Sequence, residues 1–157
     1  MAFVRLAFPW GKPGTPLEHF QGPRKWQLEV LQDLRDHIRL NGGKVDFETF
    51  RMATSSGRGI GKSALVSWLV IWMLTTRIGS TTIVSANSEA QLRSVTWAEI
   101  TKWLSMCLNS HWFEVSATRV LPAKWIAELV ERDLKLGTRY WGVEGRLWSA
   151  ENPDSYA

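Results

Sequence analysis

The chain has 157 residues, enough to bury the core of one domain and not of several. Its apolar fraction of 45% and charged fraction of 22% are those of a soluble globular protein. A net charge of +4, with bases and acids interleaved, permits a nucleic-acid partner without arguing for one, and the lone Cys107 excludes an internal disulfide or a cysteine zinc cluster.

Residues 1–22 are rich in Pro and Gly and read as an extended arm or loop, with no apolar stretch of the kind a signal peptide needs. Pro23 stands where a first helical turn tolerates proline. The spacing of Trp26, Val30, Leu31, Leu34 and Ile38 then predicts an amphipathic helix, stopped by Asn41-Gly42-Gly43. Residues 47–53, FETFRMA, predict a strand entering a core, and a loop rich in Gly and Ser follows. Residues 62–77 are apolar on nearly all faces and predict a buried helix ending near Gly79. Their apolar run is shorter than the ~20 residues a membrane span requires. A short, β-branched, buried strand is expected at 81–86, and Ser88 is placed to cap a helix reaching about Leu108. Beyond it the pattern predicts a strand at 114–120, a helix at 123–136, and a strand or hairpin at 140–148. The tryptophans at 68, 72, 97 and 103 fall in helical segments, where core packing is expected in preference to base stacking. His19, His37 and His111 do not have the spacing of a metal site.

The chemistry is concentrated in Ser55-Ser56-Gly57-Arg58-Gly59-Ile60-Gly61-Lys62-Ser63, between an expected strand and an expected helix. A phosphate-binding loop is built this way because glycines let the backbone approach a triphosphate and its N–H groups converge on the charge. The helix N-terminus adds a partial positive charge. Gly57, Gly59, Ile60 and Gly61 would cradle the phosphates of ATP through backbone N–H groups. Lys62 would neutralise the β- and γ-phosphates, and Ser63 would ligate Mg²⁺. The common pattern begins with Gly, and Ser56 stands in that place here. The expected fold is α/β, with a parallel sheet flanked by helices.

Residues 52–65, MATSSGRGIGKSAL, resemble the Walker A region of the large subunit of tailed-phage terminases, which often carries an arginine inside the loop as Arg58 is here. Residues 82–91, TIVSANSEAQ, resemble the strand and turn that follow in that family. Residues 23–27, PRKWQ, resemble its upstream adenine-recognition motif, and residues 151–157, ENPDSYA, the approach to its Walker B strand. The resemblance spans residues 20–157 and implies a RecA-like P-loop NTPase that drives double-stranded DNA into a procapsid in the bacterial cytoplasm. It implies a portal protein, a terminase small subunit and a homo-oligomeric ring as partners, with no membrane. It also implies that Gln27 reads the adenine edge by paired hydrogen bonds and that Arg58 acts at the γ-phosphate or transition state. The alternatives are a surface glutamine and a solvated loop arginine. Asn87 and Gln91 are expected in capping and solvent contact rather than sensing nucleotide or DNA.

Walker B, an apolar strand ending in Asp-Glu, is not found in the sequence, nor are carboxylate pairs suited to the family's C-terminal nuclease. Residues 23–157 are accordingly expected to be the incomplete N-terminal part of an ATPase domain, inactive alone. A non-catalytic prophage remnant that binds nucleotide or a partner, and another P-loop ATPase of helicase-like type, are the competing readings.

Overall fold

The computed structural model describes residues 2–42, 48–55 and 57–147, and its contacts fall into two units that meet in sequence at Gly61 and Lys62. The first begins with a short helix, α1 (Ala2–Ala7), where an arm or loop was expected. Val4, Ala7, Phe8 and Leu17 are buried, and Phe8 meets the rings of Phe3 and Trp10 edge-on at 6.4 and 6.5 Å. The Trp10 indole N–H donates to the Val4 carbonyl at 2.7 Å. The prolines and glycines that exclude long regular structure here still permit a small aromatic core.

Helix α2 (Lys25–Asn41) follows the predicted periodicity and stops where the sequence turns to glycine. At that end the Asn41 amide donates to the His37 carbonyl at 2.9 Å, satisfying a last-turn acceptor the helix leaves open. The strand expected over 47–53 is not present: residues 48–55 carry no regular structure, and residue 47 lies outside the described set. A strand exists only through the ladder it shares, and the described residues of this unit include no second strand to share one.

The second unit opens directly with helix α3 (Lys62–Thr76). Strand β1 (Thr81–Ala86) follows. Then come α4 (Glu89–Gln91), a π-helical stretch (Leu92–Trp97) and α5 (Ala98–Ser105). A 3₁₀ turn (Ser110–Trp112) leads into a hairpin of β2 (Phe113–Val115) and β3 (Arg119–Pro122). Helix α6 (Lys124–Leu129), a second π-helical stretch (Val130–Leu134) and β4 (Gly142–Leu147) complete it. The single strand predicted over 114–120 is thus a hairpin bent at residues 116–118.

The unit is mixed α/β, and its four-stranded sheet has the order β1-β4-β3-β2. Only β1 and β4 run parallel; β4 with β3 and β3 with β2 are antiparallel, which corrects the all-parallel expectation. The reason is loop length. Three residues join β2 to β3, and so short a link closes only an antiparallel pair, whereas the long route from β1 to β4 allows a parallel one. Among the described residues strand β1 lies at the edge of the sheet, and its burial alternates: Val84 and Ala86 are covered while Thr81, Ile83 and Ser85 are exposed.

Period-two alternation places Val84, Val120 and Val143 on one sheet face, and all are buried. That face packs on α3 and the first π-helical stretch, and α5 packs in turn on α3, where Trp68 and Trp103 meet edge-on at 5.1 Å. Trp141 is 1% exposed, lies edge-on to Phe113 at 5.6 Å, and its indole N–H donates to the Leu74 carbonyl at 2.8 Å. Leu74 is in the last turn of α3, so one tryptophan ties the helix C-terminus to the start of β4. Among the described residues no helix is long and apolar enough to cross a membrane.

Candidate functional site: a glycine loop held from below

In the first unit the loop at 57–61 turns at Arg58 and Gly59, and two of its glycines adopt backbone angles that side chains rarely tolerate. Gly59 has φ +75° and Gly61 has φ +92°. Around Gly59 there is open space, so its glycine is required by conformation alone. At Gly61 a Cβ would lie 2.8 Å from the Gln27 side-chain nitrogen, so there conformation and space act together.

The start of α2 supplies three donors to three successive loop carbonyls. Arg24 Nη1 donates to the Gly59 oxygen at 3.3 Å, Trp26 Nε1 to the Ile60 oxygen at 3.3 Å, and Gln27 Nε2 to the Gly61 oxygen at 2.8 Å. The Gln27 Oε1 accepts from the Arg24 backbone N–H at 2.8 Å, the half of a capping box that an N3 glutamine provides. Gln27 is 3% exposed, and each end of its amide makes one bond inside the protein. The structure therefore brings Gln27 together with Gly59, Ile60 and Gly61, and gives it a place under the loop instead of on an open surface. Arg58 is exposed at the turn, and Ser56 lies outside the described residues.

Lys62 and Ser63 are the first two residues of α3, in the second unit. Ser63 is exposed, and its carbonyl accepts from the Ser67 hydroxyl at 2.8 Å. The first turn of α3 carries no acidic residue of its own. Asn87 and Gln91 are both exposed after β1; Gln91 donates its backbone N–H to the Ser88 hydroxyl at 3.2 Å, the expected cap.

The other concentration of charge lies on the open face of the sheet. Glu144 accepts from Arg119 at 2.7 Å and from Arg146 at 2.8 Å. These two guanidiniums hold its carboxyl below the usual carboxylate range. Burial pushes the Cys107 thiol up, and its Sγ donates to Asn109 Oδ1 at 3.0 Å, which makes it a packed group rather than a nucleophile. Among the described residues no group of His, Cys, Asp and Glu is placed to hold a metal ion. The segment 151–157, expected to approach Walker B, lies outside them.

The sequence pointed to Trp26-Gln27 and to the loop separately but not to the bonds between them. Arg24 stood inside the PRKWQ motif but was given no role of its own. Its signal was available: Arg24 and Gln27 stand at N-cap and N3 of a helix whose start Pro23 marks. Comparisons with protein-family models, curated proteins and solved structures give no match to this chain.

Proposed function

We propose that this chain is the ATP-binding part of a phage terminase large subunit, a RecA-like P-loop ATPase that translocates double-stranded viral DNA into a procapsid. The observation that carries the reading is the loop at 57–61. Positive φ at Gly59 and Gly61 curls a short, side-chain-poor segment, and Lys62 and Ser63 follow it at once as the opening of a long helix. Such a segment suits a triphosphate because successive backbone N–H groups can converge without side chains in the way. Lys62 would neutralise phosphate charge, Ser63 would provide a hydroxyl to Mg²⁺, and the N–H groups of Gly57, Gly59, Ile60 and Gly61 would take phosphate oxygens. Arg58, exposed on the turn, would reach the γ-phosphate end. What bound Mg²⁺ supplies is neutralisation of charge on the phosphates. DNA, a portal protein and a terminase small subunit are the partners this reading entails.

The test is calorimetric titration of the chain with Mg-ATP, in wild type and in Lys62→Ala. A charge-assisted contact is worth about 1.5–3 kcal/mol, so affinity should fall by about 10- to 150-fold. Equal affinity in the two proteins would overturn the phosphate-loop assignment. The family half is tested in the phage or prophage that encodes the chain. There Lys62→Ala should leave procapsids assembled but empty in electron micrographs, and DNA-filled heads would refute it.

A further inference from the structure

We infer that Gln27, aided by Arg24 and Trp26, is a positioning residue that turns the loop's N–H groups toward the phosphates, and that it does not read the base. This rests on the phosphate-loop reading and assigns within it a role distinct from adenine recognition. In a planar trans peptide the carbonyl of one residue and the N–H of the next point in opposite directions. Drawing the Gly59 and Ile60 oxygens toward α2 therefore turns the Ile60 and Gly61 N–H groups away from it. The Gly61 oxygen is held by the shortest of the three bonds, at 2.8 Å, and by the same rule the N–H this bond orients is that of Lys62. A flexible glycine loop could otherwise present carbonyls, which repel phosphate, as readily as N–H groups. The three donors come from four consecutive residues of one helix start, so they act as one rigid rack.

Gln27 suits this role and not the other. Its Oε1 and Nε2 are both engaged, and it is 3% exposed. Pairing with an adenine edge needs one donor and one acceptor of the same amide, open to the ligand.

The two roles separate with ligands that lack the base. Wild type, Gln27→Met and Gln27→Glu are titrated with the magnesium complexes of ATP, GTP and inorganic tripolyphosphate. Gln27→Met keeps the side chain's length but loses both bonds. Gln27→Glu keeps the acceptor for the Arg24 N–H, so α2 remains capped, but aims an anion at the Gly61 oxygen. One lost net hydrogen bond corresponds to about 2- to 12-fold, so Gln27→Met should weaken all three ligands by one common factor in that range. Gln27→Glu should weaken them further, because the carboxylate repels the Gly61 oxygen that the amide held. Loss of ATP alone, with tripolyphosphate unchanged, would overturn the inference in favour of base reading. Unchanged affinity for all three in both variants would overturn it in favour of a helix cap only. Failure of wild type to bind any of the three would instead refute the phosphate-loop reading beneath it.

Discussion

Gly61→Ala offers the sharpest test of the loop, because Gly59→Ala is its built-in control. Both glycines have positive φ, and forcing an alanine into such a conformation costs about 1–3 kcal/mol at either place. Only at Gly61 does the added methyl also meet the Gln27 Nε2, at 2.8 Å, where it must displace the amide. That second effect removes a buried hydrogen bond worth about 0.5–1.5 kcal/mol net. Gly61→Ala should therefore exceed Gly59→Ala by about that amount, a further 2- to 12-fold in triphosphate affinity. A readout independent of any ligand is the pair of Gln27 side-chain amide protons in nitrogen–proton NMR spectra. They should exchange slowly in wild type and in Gly59→Ala, and rapidly in Gly61→Ala. Equal affinities and equal protection in the two alanine variants would refute the claim that Gln27 fills the space beneath Gly61.

Trp141→Phe should destabilise the second unit by about 1–3 kcal/mol in urea unfolding, since the Leu74 carbonyl loses its buried donor; a change below about 0.5 kcal/mol would show that water replaces the indole. Lys135 sits at φ +58°, a left-handed conformation that costs a non-glycine residue about 1–2 kcal/mol, partly offset by the greater chain entropy of glycine. Lys135→Gly should thus raise the unfolding midpoint slightly, and a fall would mean that the lysine side chain makes a compensating contact. The depressed carboxyl of Glu144 contributes stability that is complete above the ordinary carboxylate range and is lost as pH falls through its lowered folded value. Stability curves from pH 7 down to pH 2 should decline less steeply in Glu144→Gln, and parallel curves would place the ion pairs outside the folding equilibrium.

What the sequence determined by itself was the local content of the chain. The period of Trp26, Val30, Leu31, Leu34 and Ile38 defined α2, and the continuous apolar run defined α3, because helical hydrogen bonds are made within a segment. The Ser88 cap and the glycines at 59 and 61 were legible for the same reason: their demands are met by neighbouring backbone. Tertiary structure alone decided what depended on partners distant in sequence. FETFRMA has a strand-like pattern, yet its described residues form none, since pattern cannot supply a neighbour to share a ladder. The sheet's mixed direction followed from the short link between β2 and β3, which one broad strand prediction had concealed. Gln27 was legible as a residue of interest, but its role was not. Its amide meets Gly61 across 34 positions of sequence, and only folding reveals that both of its polar ends are already occupied.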